Sequence, residues 1–279
     1  MSLYGWIGLA ALIISEAGMF AHVEPFWSWH TPIAWTGYIL LIDALIYRKR
    51  GSSWLTTNRR EFWFLAALSV PLWVVFEGYN LLIRNWHYIN LPEHPVARYF
   101  GYAWSFATIW PAIFETAELV ALFRGQTPAL EHAQGNQRRV NPAVATALVA
   151  LGLAMLTWPL IWPSPYLAAP VWLGFILLLD PLNDWRGAPS LVGDLRSSGW
   201  NRLMNLSASG FICGGLWEFW NYWARAKWIY DVPIMQDWKV FEMPLAGYLG
   251  FPAFALECFT MYVFVRRLLW RGPTRRIAL

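Results

Sequence analysis

Residues Trp35 to Asp43 read WTGYILLID and residues Trp172 to Asp180 read WLGFILLLD, with six of nine positions identical and an aspartate closing each copy. The likeness continues downstream. Phe76-Glu77-Gly78-Tyr79-Asn80 is matched by Trp217-Glu218-Phe219-Trp220-Asn221, Trp86-His87-Tyr88 by Trp228-Ile229-Tyr230, and Glu115 by Glu257. Offsets of 137, 141, 142 and 142 residues make the two halves collinear with small insertions. Self-similarity at a near-constant spacing is the signature of one unit used twice, so the chain divides into a first repeat over 1–137 and a second over 138–279.

Composition says where this unit lives. Of 279 residues 57% are apolar and only 14% charged, with a mean hydropathy of +0.35. A soluble domain of this length cannot hide that much apolar surface, so a bilayer is the expected solvent. The 21 Trp and 12 Tyr exceed what two interfacial belts require, which predicts that some line an interior. About 20 apolar residues cross a hydrocarbon core as helix. On that ruler the spans are 3–20, 31–47, 61–83, 96–123, 141–162, 166–183, 200–223 and 244–270, four in each half. The expected fold is an all-α integral membrane protein of about eight transmembrane helices, built as two parallel four-helix repeats. Pro111 and Pro252 predict kinks in the two longest spans.

Charge gives an independent test. Sixteen of the 21 Lys and Arg fall in alternate loops and the C-terminal tail, from Arg48, Lys49 and Arg50 through to Arg275 and Arg276. The opposite side holds Arg84, Arg98, Arg225, Lys227 and Lys239. This bias predicts an inner, cytoplasmic membrane location with both termini in the cytoplasm. An even number of spans per unit then relates the halves by an axis along the membrane normal. The net charge of +4 reports topology and anionic lipid contact, with no nucleic-acid partner implied. Residues 1–14 lack a basic leader region, so the first segment is expected to be retained.

Acids inside apolar segments carry the chemistry. Glu16, Asp43, Glu77, Glu115, Glu118, Asp180, Glu218 and Glu257 fall within or at the edges of spans, at a cost of about 2.5 to 3.5 kcal/mol each for a charge at a helix centre. Glu77, Glu218, Glu115, Glu257, Asp43 and Asp180 recur in both halves and are the catalytic candidates. A helix-to-helix latch of protonated carboxyls is the alternative, since duplication preserves a latch as well as a site. Asn80 and Asn221 lie three residues after Glu77 and Glu218, on the same helix face, where the amide can hold the carboxyl. With the N-terminus inside, the Glu77 and Glu218 level lies towards the outer face and the other four acids towards the cytoplasm. Trp86 and Tyr88 before Pro92, and Trp228 and Tyr230 before Pro233, alternate at period two and predict a short extended or hairpin lid after each Glu/Asn pair. Asn80, Asn221, Trp86, Tyr88, Trp217, Trp228 and Tyr230 are the substrate-binding candidates. The aromatic pairs also suit plain interfacial anchors.

Other chemistries lack their residues. His22, His30, His87, His94 and His132 fall in predicted loops with no helical pairing among them, so no metal site is expected. Cys213 and Cys258 fall within predicted spans and form neither a disulfide scaffold nor a metal quartet. No phosphate-binding glycine loop, dinucleotide fingerprint or nucleophile elbow is present. No cofactor is expected.

Two tandem membrane units, each with an acid after a tryptophan-rich helix, a Trp-x-Tyr loop and a proline-then-glutamate helix, resemble the fused lycopene cyclase domain proteins. Through Trp217-Glu218 the chain also resembles the small membrane-bound terpene cyclases. The resemblance implies an isoprenoid or carotenoid substrate protonated by a carboxylic acid, a lyase or isomerase type of reaction, with Glu77, Glu218, Glu115 and Glu257 as general acids. The chain departs from the pattern at its proline motifs, where Pro111-to-Glu115 and Pro252-to-Glu257 have no adjacent second acid. Two other readings stay open: a non-catalytic subunit binding a pigment, quinone or lipid within a larger bioenergetic membrane complex, and a proton-coupled carrier.

Overall fold

The computed structural model describes residues 1–126, 139–197 and 199–270. His132 and the basic residues Arg138, Arg271, Arg275 and Arg276 lie outside them. The first half runs α1 (Leu3–Phe20), α2 (Phe26–Arg50), the single turn α3 (Trp54–Thr57), α4 (Arg59–Ile83), β1 (Trp86–Ile89) and α5 (Pro95–Phe123). The second runs α6 (Pro142–Ile161), α7 (Ala168–Trp185), α8 (Leu191–Ser197), α9 (Asn201–Trp223), β2 (Lys227–Tyr230), a minimal hairpin of β3 (Lys239–Val240) and β4 (Met243–Pro244), and α10 (Gly250–Leu269).

The chain folds as a helical membrane protein. Leu3–Phe20, Arg59–Ile83, Pro95–Phe123, Pro142–Ile161, Pro165–Trp185 and Leu245–Leu269 are long and apolar enough to cross a bilayer. Helices α2 and α9 have the length, 25 and 23 residues, but polar residues dilute them. His30, Thr31 and Asp43 do so in α2, and Asn205, Ser207 and Ser209 in α9. Large apolar side chains stand exposed on α1 (Trp6, Ile13, Ile14) and α6 (Leu151, Leu153, Leu160), the outward faces a hydrocarbon solvent favours.

Small residues set the tightest crossings. A Cβ on Gly8 would meet the Gly37 carbonyl at 2.6 Å, which draws α1 onto α2. A Cβ on Gly152 would meet the Gly174 carbonyl at 2.8 Å, which draws α6 onto α7 in the same way. Without water to drive helices together, close backbone approach over small residues is the main source of packing energy in a bilayer. Further in, α2 and α4 pack on α5, α7 and α9 pack on α10, and α5 packs on α9.

The two prolines are accommodated differently. A non-helical residue lies inside α2 at Trp29, three positions before Pro32. Pro252 falls in the first turn of α10, where its missing N–H costs nothing. Pro111 lies within α5, but Ser69 of α4 splices the break: its hydroxyl donates to the Phe106 carbonyl and accepts from the Trp110 amide at 3.2 Å. Those two backbone groups are one helical turn apart, so a side chain from a neighbour restores the satisfaction that hydrocarbon cannot supply.

The Trp-x-Tyr segments do not form two separate lids. β1 and β2 pair with each other, antiparallel, with Trp86 opposite Tyr230 and Tyr88 opposite Trp228. Opposed residues of an antiparallel pair share a face, so four rings from the two halves project to one side of a single ribbon. His87 occupies the other face and meets Asp231 at 2.5 Å.

Candidate functional site

Beneath the ribbon lies a cavity of about 500 Å³, within the range of roughly 300–1,000 Å³ typical of small-molecule sites. Trp86, Tyr88, Trp228 and Tyr230 form its roof. Trp73 of α4, Trp217 of α9 and Phe254 of α10 also line it, in mutual ring contact: Trp73 and Trp217 centroids lie 5.4 Å apart and Trp73 and Phe254 5.6 Å apart. One side is completed by α2 and α5, with Trp35 and Phe106, and the other by α7 and α10, with Trp172 and Phe251.

The carboxyls of Glu77 and Glu218 stand behind this wall, each reached through a tyrosine of the roof. Glu77 Oε1 accepts from the Tyr88 hydroxyl at 2.5 Å, the Trp73 indole at 2.8 Å and the Trp86 indole at 3.3 Å. Glu218, fully buried, accepts from the Tyr230 hydroxyl at 2.8 Å on Oε1, and its Oε2 has no partner. The Trp228 indole donates to the Tyr230 oxygen at 2.9 Å. Burial, then the charge of the attached glutamate, pushes both phenols well above their ordinary range. Both tyrosines are therefore hydrogen-bond donors and never anions at neutral pH.

The asparagines serve the ribbon, which corrects the expectation that their amides hold the carboxyls. Asn80 accepts from the Asn85 and Trp86 amides at 2.9 and 3.1 Å and donates to the Trp86 carbonyl at 2.8 Å. Asn221 accepts from the Trp228 amide at 2.9 Å and donates to its carbonyl at 2.8 Å. A helix-borne amide thus stands in for a third strand at the entry to each ribbon strand.

The remaining acids lie further along the bundle, outside the cavity wall. Asp43 accepts from the Leu55 amide and the Ser53 hydroxyl, both at 2.8 Å, and from Tyr4 at 2.7 Å. Asp180 accepts from the Leu191 and Val192 amides at 2.7 and 2.8 Å. Each aspartate thereby pins the start of the short helix that follows it, α3 or α8, and satisfies amides left bare at a helix N-terminus. Glu118 pairs with Arg50 at 2.5 Å and takes the Trp54 indole at 2.6 Å. Glu115 is buried beside this group with neither oxygen bonded, and Glu257 takes one weak bond, from the Phe175 amide at 3.3 Å. Glu16 accepts from the Trp220 indole at 2.6 Å and ties α1 to α9.

Two further residues depart from the sequence reading. His30 sits inside α2, fully buried, with Nδ1 2.8 Å from the Ser15 hydroxyl, because α2 begins at Phe26, ahead of the predicted span. Trp73, which gives Glu77 its strongest indole bond, stands where the second half has Gly214, so comparing the halves by shared residues passed over it. Among the described residues no group of three His, Cys, Asp or Glu side chains could hold a metal ion. No protein-family model, no curated protein and no solved structure matches the chain.

Proposed function

We propose that the chain is a membrane-embedded enzyme that holds an isoprenoid or polyene chain in the aromatic cavity and protonates it, in a cyclase, hydratase or isomerase type of reaction. The architecture we propose for it is a duplicated four-helix unit, crossing the bilayer eight times with both termini in the cytoplasm. Six apolar helices and the shared order of elements support that arrangement. One observation carries the functional reading: an apolar, ring-walled cavity lined by a tyrosine whose hydroxyl is bonded directly to a buried glutamate.

The chemistry follows from that bond. A proton placed on Glu218 Oε1 reverses it, so that the carboxyl donates to Tyr230 Oη and the phenolic hydrogen turns to the cavity. Transfer of that hydrogen to an alkene carbon forms a C–H bond from the π pair, and the carboxyl proton moves to the tyrosine. Glu218 becomes a carboxylate and the neighbouring carbon a cation. Indole faces stabilise such a cation by up to about 2 kcal/mol each when water is excluded. Loss of a proton back to the tyrosine–glutamate pair ends a cyclisation or isomerisation, and addition of water ends a hydration. Glu77, whose Oε1 already takes three donors, serves as the strut that holds Trp73, Trp86 and Tyr88 in the wall.

A second reading has its own support, because among the described residues no carboxylate belongs to the cavity wall. The same cavity then binds a polyene, quinone or lipid without converting it, as a subunit of a membrane complex. Purified protein supplied with labelled geranylgeraniol or an acyclic carotene separates the two. Conversion to a product of altered chromatographic mobility is expected. Retention of unchanged probe would favour the binder, and failure to retain or convert either probe would refute both.

A further inference from the structure

The two sides of the cavity differ in polarity at equivalent positions. The α2 and α5 side presents Thr31, Arg98 and Ser105, and at the register of the second half these become Ala168, Val240 and Gly247. Two charged side chains belong to the cavity lining, Arg98 and Lys227, and Lys227 is already neutralised by Glu242 at 2.6 Å. Arg98 spends only its Nε, on the Pro92 carbonyl at 3.0 Å, and meets no carboxylate at ion-pair distance among the described residues. Its guanidinium fork is thus left for another acceptor. It stands in the first turn of the 29-residue helix α5, whose amino end adds positive potential at the same place. On the α2 side of the same cavity, the Thr31 hydroxyl is buried with no partner among the described residues. Arg is the side chain best suited to two-point recognition of phosphate.

We propose that the cavity takes an amphiphile in one orientation, a phosphate-bearing head on Arg98 with Thr31 beside it and the apolar chain under the ribbon towards α7 and α10. The inference rests on the cavity being a site for an isoprenoid or similar chain, and it adds the head group and the direction. Phosphate on a prenyl chain and phosphate on a glycerolipid share this chemistry. Asn85, bonded to the Pro165 carbonyl ahead of α7, offers a neutral oxygen and cannot replace the cation.

Quenching of the intrinsic tryptophan emission of the full chain in non-ionic detergent reads occupancy of the cavity directly. Farnesyl phosphate is expected to bind at least tenfold more tightly than farnesol, and Arg98→Gln to remove that preference while leaving farnesol binding unchanged. Arg98→Lys is expected to retain part of it, because a point charge replaces the fork. Equal affinity for the two probes, or a preference that survives in Arg98→Gln, would overturn the proposal while the cavity reading stands. Absence of any quenching by farnesol and farnesyl phosphate alike would sink the cavity reading and the head-group proposal with it. Competition by dilauroyl phosphatidic acid as strong as that by farnesyl phosphate would support the proposal with a glycerolipid as the source. Inorganic phosphate is expected to compete only at far higher concentration, and if it displaces farnesyl phosphate at equal concentration the chain contributes nothing and the proposed orientation is wrong.

Discussion

The surroundings of Glu77 and Glu218 are the same device built with different numbers of donors. In both, a helix-borne glutamate holds a ribbon tyrosine whose ring faces the cavity. Around Glu77, Trp73 and Trp86 add two indole donors to the same oxygen. Around Glu218, the position of Trp73 is taken by Gly214, and a Cβ there would run into the Phe251 ring, which fills the vacated space. Trp228, the counterpart of Trp86, donates to the tyrosine oxygen. One indole replaced by glycine and one turned to the tyrosine thus leave Glu218 with a single hydrogen bond where Glu77 Oε1 gathers three. The same glutamate–tyrosine bond is therefore held by three donors on one carboxyl oxygen in the first half and stands alone in the second.

The contrast can be broken most forcefully at the strut. Glu77→Ala orphans three donors, and at about 1 kcal/mol or more for each buried group left bare it is expected to cost roughly 3 kcal/mol. Glu218→Ala removes one acceptor and is expected to cost roughly half of that. Thermal unfolding of both variants in the same detergent checks the order, and equal losses would remove the distinction. Next in size, Gly214→Ala is expected to lose about 1–3 kcal/mol by overpacking against Phe251, and Phe251→Ala in the same chain to recover part of it. Absence of coupling in that cycle would mean that Phe251 does not stand in for the missing indole.

The tyrosines give a finer comparison. Tyr230→Phe strands both Glu218 Oε1 and the Trp228 indole, whereas Tyr88→Phe leaves Glu77 with two indoles. A loss of about 2 kcal/mol is expected for Tyr230→Phe and about 1 kcal/mol for Tyr88→Phe, read as unfolding midpoints.

The smallest effect lies at the rim, where Glu24 of the first half grips Arg225 of the second at 3.1 Å. Slight burial opposes ionisation of Glu24, but the Ser28 hydroxyl and amide and Arg225 outweigh it and hold the carboxyl below its usual range. A lowered folded value means that the contribution is present above about pH 4.3 and fades as acid takes the pH through the lower folded value. An exposed pair of this kind is worth under about 1 kcal/mol. Glu24→Gln is therefore expected to lower stability at neutral pH by under about 1 kcal/mol, to flatten the acid limb of the stability curve slightly, and to match wild type in acid below the folded value.

What the sequence exposed and what it concealed follow from range. Apolar runs of near-bilayer length made all eight long helices legible, with ends off by a few residues and α2 extended by five residues at its start. Shared residues at a steady offset picked out Glu77, Glu218, Tyr88 and Tyr230, because identical side chains recur wherever both halves use the same bond. The period-two alternation told of strands but not of their partner, since pairing across 142 residues leaves no local trace. The asparagines were placed on the right helix face, yet face alone did not choose between the carboxyl and the ribbon backbone. Differences between the halves, Trp73 against Gly214 and Arg98 against Val240, were invisible to an argument built on likeness. They acquire meaning only once the cavity places them.

Solvent hydrogen gives the most direct test of the central claim, that the Tyr230–Glu218 pair delivers a proton to a chain in the cavity while Glu77 only supports the wall. Labelled polyprenyl or carotene probe is incubated with wild type, Glu77→Gln and Glu218→Gln in deuterated water, and carbon-bound deuterium in the product is measured. Wild type and Glu77→Gln are expected to incorporate deuterium at comparable rates per folded molecule, and Glu218→Gln at a rate lower by about 100-fold or more. Full incorporation by a folded Glu218→Gln protein, or a greater loss in Glu77→Gln, would contradict the account.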